Sequence, residues 1–420
     1  MKKKSLLFTL CLMLFLFGSY TLKSQENWEK YENNPVLTTG DEAMWDEYGV
    51  SMGAVLKFDN QYHLWYNGRM SEVSNWQIGY AWSDDGINWT KYPFPVITYG
   101  TFGNWDNNRR LGAVIKVNDT LKMWFVATNN MPFESHLGYA WSMDGISWSI
   151  YPEPVLSTGQ EGDWDNYVVF ESSVIYDGNQ YYMWYGGFDD NDYNPPKIGY
   201  ATSADGINWV KDIENNPVLE GGIEGSYLQD WVCFPNVLQN DGVFEMWFSG
   251  HVNDHYRIGF AQSEDGIEWD YITDYPVLDI GANETWEDKQ VCRPSVIIDD
   301  NQYKMWYSGY DGSRYKIGLA LGDITTEIDN HQTVDAFYCQ SYPNPFTNKF
   351  ELHYYLDIES QVIISLIDSK GCVIKTVKDA FHLPGDHIAI FDATDLNTGV
   401  YYYRLQTGER FAIGKMLKLK

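Results

Sequence analysis

Tyr80-Ala81-Trp82-Ser83-Asp84-Asp85-Gly86-Ile87-Asn88-Trp89 returns with small changes at 139–148, 200–209 and 260–269. Each copy runs on to a Pro-Val-Leu or similar step that begins at Pro95, Pro154, Pro217 or Pro276. Upstream of the copies lies a Met-Trp-Tyr-like segment around Trp65, Trp124, Trp184 and Trp247, and a fifth such segment surrounds Trp306. Before each of these comes a short apolar segment with Val55, Val114, Val174, Val237 or Val296, so the unit recurs every 59–63 residues. Four short strands separated by turn residues, repeated at this period, describe the blade of a β-propeller.

Five innermost strands are present, but after Ile317-Gly318-Leu319 the fifth unit lacks its outer strand. Asn27-Trp28-Glu29-Lys30-Tyr31 through Pro35-Val36-Leu37 matches the segment from Asn88-Trp89 to Ile97, so the mature N-terminus is expected to complete the last blade. Such closure removes open sheet edges. The Ser-x-Asp-Gly-x-x-Trp turns read as structural: Asp followed by Gly makes a tight hairpin, and the Trp packs between blades.

The chain opens Met1-Lys2-Lys3-Lys4, followed by an apolar run from Leu6 to Phe17 and then Gly18-Ser19, the pattern of an export signal over 1–25. That run is too short to span a membrane, which takes about 20 residues, so no membrane span is expected after signal removal. Net charge is −29, which argues against nucleic acid or anionic membrane as partners. Of five cysteines, Cys11 lies in the signal, while Cys233, Cys292, Cys339 and Cys372 show no CxxC spacing. Neither a zinc site nor a disulfide framework is read from them. No metal or other cofactor is expected, and a structural calcium is left open.

The propeller is assigned to 26–325 and a linker to 326–336. From Phe337 to the end, alternation at Phe350, Leu352, Tyr354 and Leu356 and at Val362, Ile364 and Leu366 predicts a small β-sandwich. Tyr342-Pro343-Asn344-Pro345-Phe346, Leu396-Asn397-Thr398-Gly399-Val400-Tyr401-Tyr402 and the tail Lys415-Met416-Leu417-Lys418 resemble the type A sorting domain of the type IX secretion system. The resemblance implies the type IX machinery as a partner and a secreted or outer-membrane surface location. The expected fold class is all-β: a five-bladed propeller plus a C-terminal β-sandwich.

Comparing blades separates scaffold from site, because shared positions serve the architecture and odd ones need another reason. Aligned on the five valines, the innermost strands carry Met52, Leu111, Glu171, Phe234 and Arg293, preceded by Ser51, Arg110, Phe170, Cys233 and Cys292. Glu171 alone places a carboxylate there. Asp46, Asp106 and Asp165 each follow a Trp, and Glu287 is similar, which marks them as turn or cap residues. The six propeller arginines, Arg69, Arg109, Arg110, Arg257, Arg293 and Arg314, fall on segments of the funnel face, as do His251 and His255. Guanidinium groups gathered in an acidic protein suit a carboxylate, sulfate or phosphate. Arg109, Arg110, Arg293, His251, His255 and Asp230 are therefore the candidate substrate-binding residues.

The propeller resembles the five-bladed glycosidase superfamily of arabinosidases, xylosidases and invertases, on the Ile-Gly-Tyr-Ala-x-Ser-x-Asp-Gly-x-x-Trp blades and on Phe170-Glu171-Ser172-Ser173-Val174 before Tyr181-Tyr182-Met183-Trp184-Tyr185. The resemblance implies a glutamate general acid in the third blade, at Glu171. It also implies aspartates in the first two blades, where this chain has Met52 and Leu111. Asp46, or its neighbour Glu47, is the substitute base within reach by sequence. The readings carried forward are a secreted glycoside hydrolase acting on plant or algal carbohydrate, with Glu171 as acid and Asp46 as base, and a glycan-binding propeller without catalysis. A protein-interaction propeller is the third.

Overall fold

The computed structural model describes residues 28–419 except 131–132, 190–194, 224–225, 274, 325–336, 343–345, 357–358, 369–372 and 408–409. The signal assigned to 1–25 and the linker at 326–336 lie outside the described residues. The rest is built from strands. In blade 1 the antiparallel order is Gly49–Phe58, Gln61–Arg69, Gln77–Ser83 and Thr90–Lys91. Blades 2 to 4 repeat it from innermost strands Asn108–Val117, Val168–Tyr176 and Trp231–Asn240.

Blade 5 has Gln290–Asp299, Gln302–Tyr310 and Tyr315–Asp323, and its fourth strand is Trp28–Lys30, paired Trp28 to Gly322. Leu37 bridges to Ile317 as Ile97 does to Ile78. The expected closure is therefore present, and two side chains show why it is specific. Asn34 brackets the Leu319 backbone, accepting from its N–H and donating to its carbonyl at 2.8 Å each, as Asn216 does with Tyr200 in blade 3. Trp28 meets Trp247 edge-on at 6.1 Å and 86°, the geometry of Trp65 with Trp148.

The tryptophan lattice explains the repeat. Trp65, Trp124, Trp184 and Trp306 are fully buried, and each indole N–H donates to the turn glycine of the next blade, Gly145, Gly206, Gly266 and Gly86, at 2.8–2.9 Å. Gly86 sits at φ +76°, and a Cβ there would lie 2.7 Å from the Trp306 ring, so both backbone and packing demand glycine. The turn aspartate is consumed internally: Asp144 accepts from the Ile146 and Ser147 N–H groups and the Ser142 hydroxyl. Those bonds, the Ser147 N–H foremost, hold its carboxyl down at about 2. The expected structural role of these turns stands.

The C-terminal region packs a three-stranded sheet (Phe337–Tyr342, Lys349–Leu356, Gly385–Asp392) against a four-stranded one built on Ser360–Asp368 and Gly399–Thr407. Phe350, Leu352, Tyr354 and Leu356 from one sheet and Val362, Ile364 and Leu366 from the other form its core, as their alternation predicts.

Candidate functional site

Each innermost strand carries a bulge at the same place, with register slips between Ser51 and Ala54, Leu111 and Ala113, Phe170 and Ser172, Cys233 and Asn236, and Cys292 and Ser295. A bulge re-aims the side chains beside it. Here it sets Met52, Leu111, Glu171, Phe234 and Arg293 at the mouth of a central channel of about 440 Å³, whose lining begins one residue later, at Gly53, Gly112, Ser172, Pro235 and Pro294. The bulges are tied blade to blade: the Met52, Leu111 and Arg293 N–H groups donate to Ser308 Oγ, Asn67 Oδ1 and Ser249 Oγ.

At that mouth Glu171 is 7 % exposed and ion-paired. Its Oε1 accepts from Arg293 Nη1 at 2.6 Å and lies 3.8 Å from Arg110 Nη2, while its buried Oε2 has no hydrogen-bond partner among the described residues. Arg293 Cζ lies over Phe234, 3.8 Å from the ring centroid. Burial opposes ionisation of Glu171, but Arg293 and then Arg110 outweigh it and hold the carboxyl below the ordinary carboxylate range. Arg110 is drawn up by Glu171, yet burial and the charges of Arg293 and Arg69 leave it below the usual guanidinium value. Blades 2, 3 and 5 thus contribute one carboxylate and two guanidinium groups, with Arg69 of blade 1 close enough to be felt. Among the described residues Glu171 is the one carboxylate ion-paired to Arg110 or Arg293.

Behind them Cys233 and Cys292 are buried free thiols, raised by desolvation, Cys292 to about 12, so neither is a nucleophile at neutral pH. His251 Nδ1 is 3.0 Å from Asp230 Oδ2, and its ring stacks on Trp231 at 3.8 Å. Burial lowers its pKa against the pull of Asp230. Trp231 donates to Tyr256 at 3.3 Å, and Tyr256 packs on Phe234. Asp230 and His251 therefore border the Arg293 site through an aromatic relay. His255 Nδ1 contacts the Lys289 carbonyl at 2.8 Å, and its ring is close enough to His251 to act on it electrostatically.

Two expected site residues belong to the scaffold instead. Asp46 is buried and accepts from Tyr66 at 3.0 Å and Lys91 at 2.6 Å. Asp165 does the same with Tyr185 and Lys211, and Glu287 takes Lys30. Blade 2 has Ile150 where blades 1, 3 and 5 have lysine, and Arg109 takes over, pairing with Asp106 and donating to the Thr98 carbonyl at 2.9 Å. Blade 4 has Leu228 in place of the acid and Tyr271 in place of the cation. Acid and cation are kept or lost together, which marks a structural pair. Asp46 is thus not free to act as base, nor Arg109 to bind substrate. Arg257 and Arg314 are likewise engaged, with Asp279 and with the Glu47 carbonyl. Arg69 lies over the Tyr48 and Trp76 rings and donates to the Glu72 carbonyl at 2.8 Å, while its charge is felt by Arg110.

Residues 340–418 match the secretion system C-terminal sorting domain, so the protein is secreted or held at the cell surface through type IX secretion. Over 238 residues the chain is 29 % identical to an uncharacterized protein of Mycobacterium tuberculosis, covering 54 % of this chain and 76 % of that one. Over 128 residues it is 30 % identical to a 1,2-beta-oligomannan phosphorylase of Thermoanaerobacter, covering 28 % and 41 %. A glycosyl hydrolase structure from Bacteroides ovatus superposes with a TM-score of 0.59 at 16 % identity, covering 71 % and 94 %. The fold is that of the propeller glycosidases. Among the described residues no group of three His, Cys, Asp or Glu side chains is placed to hold a metal ion.

Proposed function

We propose that the protein cleaves glycosidic bonds outside the cell, with Glu171 acting on the leaving oxygen and Arg110 and Arg293 binding an anionic group. The observation that carries this reading is the half-satisfied Glu171: one oxygen in an ion pair, the other buried without a described partner and beside the channel mouth. In the free protein its arginines favour the carboxylate. A ligand anion that engages Arg110 and Arg293 weakens their pull, burial then dominates, and Glu171 takes up the proton a general acid must hold. Hydrolysis ordinarily needs a second carboxylate. Phosphorolysis needs one, because bound phosphate is itself the attacking group, and the phosphorylase among the relatives supports weighing both.

A second reading, glycan binding without catalysis, is favoured by Met52 and Leu111, which are 2 % and 1 % exposed and apolar where aspartates were implied, and by the structural engagement of Asp46. The test is to incubate the protein with manno-oligosaccharides and acidic oligosaccharides in phosphate and in phosphate-free buffer. The readouts are sugar 1-phosphate and free reducing ends, each repeated with Glu171→Gln. Product that depends on Glu171 supports cleavage and its identity tells the acceptor; full activity in the variant removes Glu171 from the reaction. Saturable binding with no product in either buffer establishes the second reading.

A further inference from the structure

Blade 3 is the one blade that carries an aromatic ring at all three of a further set of funnel-face positions. Tyr167 aligns with Tyr48, Asn107, Asp230 and Lys289, Phe170 with Ser51, Arg110, Cys233 and Cys292, and Phe188 with Arg69, Thr128, His251 and Tyr310. From the adjoining edge of blade 2 comes Phe133, where blades 1, 4 and 5 have Ser74, Asp254 and Ser313. These rings touch in sequence: Phe133 to Tyr167 at 5.1 Å, Tyr167 to Phe188 at 6.0 Å, Phe188 to Phe170 at 6.1 Å, and Phe170 to Phe234 at 5.8 Å. Phe234 then carries Arg293, the partner of Glu171.

The ladder is graded. Phe170 is buried, Phe188 and Phe234 are half-buried, and Phe133 and Tyr167 are each 43 % exposed. Two neighbouring aromatic rings left in water, continuous with a buried charged site, are costly unless a ligand covers them. Their tilt to each other is 35°, so they offer one shallow apolar shelf rather than a closed pocket. The C–H face of a sugar ring fits such a shelf.

We propose that Phe133 and Tyr167 form a subsite for the non-reacting part of a carbohydrate chain whose reacting end lies at Glu171 and Arg293, an inference that rests on the carbohydrate reading above. It gives the protein a preference for chains over disaccharides.

The test measures affinity by calorimetry for β-1,2-manno-oligosaccharides and for oligogalacturonides from disaccharide to hexasaccharide, on the full chain. For the wild type, affinity is expected to rise with length. In the Phe133→Ala, Tyr167→Ala double variant the gain from added units is expected to fall about tenfold, the size of one to two aromatic contacts, with disaccharide affinity unchanged. Tyr167→Phe should keep the gain, since the ring and not the hydroxyl carries it, and Phe102→Ala, an exposed ring off the ladder, should keep it too. A double variant with undiminished length dependence overturns the subsite and leaves the carbohydrate reading intact. A wild type that binds none of either series overturns both.

Discussion

Asp46 and Glu171 are both buried carboxylates paired to basic side chains, yet they answer to different demands. Asp46 has its hydrogen bonds from Tyr66 and Lys91, and blade 3 reproduces them at Asp165. Glu171 has no counterpart in any blade, takes its cations from two other blades, and keeps one buried oxygen without a described partner. In a repeat protein the scaffold is what neighbouring units share, so the unrepeated, incompletely satisfied carboxylate is where chemistry is to be sought.

The largest effect expected from this contrast is on turnover. Glu171→Gln preserves the shape but cannot donate a proton, and a positioned general acid contributes about 10²–10⁴-fold. Steady-state kinetics on an oligosaccharide identified in the product screen should show that loss in kcat. Asp46→Asn should leave kcat of the folded protein unchanged; a loss there equal to that of Glu171→Gln would erase the distinction between the two sites.

Next in size is stability. Removing Asp46 or Asp165 strands a lysine and a tyrosine hydroxyl. Breaking a buried pair costs about 3–5 kcal/mol, and about 2–3 kcal/mol is expected here because Lys91 and Lys211 keep partial access to water. Denaturant unfolding of Asp46→Ala and Asp165→Ala should give matching losses. Unequal losses would mean that the two blades do not use the pair alike.

Much of this architecture was legible because repetition is written in residue identity. The 59–63 residue period gave the blades, and the match of Trp28 to Trp89 gave the closure, since only a blade partner calls for Asn-Trp and Pro-Val-Leu in that order. Glu171 stood out for the same reason. Arg109 was misread, although the signal was there: its column holds Val50, Val169, Val232 and Val291, all buried. Successive strand residues face opposite ways, so Arg109 and Arg110 could not both reach the funnel. The gathering of Arg110, Glu171 and Arg293 at the funnel follows from the ring, but their direct ion pairing was not legible, because it depends on how side chains up to 183 positions apart in the chain meet. Nor was the aromatic ladder, since aromatic residues serve as scaffold throughout this chain and identity alone does not mark the unusual ones.

A smaller effect separates turn from site. Asp144→Ala removes the acceptor for two backbone N–H groups and should cost about 1–2 kcal/mol, with kcat unaltered. A larger fall in kcat than in stability would show that the turn communicates with the funnel.

The smallest expected effect is one of pH, and its sign follows from the pairing of Glu171. The folded carboxyl is held below its unfolded value by Arg293 and Arg110 against burial, so its contribution to stability is complete above the ordinary carboxylate pKa and fades as pH falls through the folded value. In Glu171→Gln the two guanidinium groups face a neutral amide at every pH. The melting temperature of the variant should therefore lie below that of the wild type by a constant margin from pH 8 down to the ordinary carboxylate range. Below that the margin should narrow, because protonated Glu171 resembles glutamine. Asp46→Asn breaks a different pair, so its curve supplies the control for general acid unfolding. If the margin between wild type and Glu171→Gln instead widened as pH fell, Glu171 would be protonated in the free protein, and the arginines would be holding a neutral acid rather than an ion.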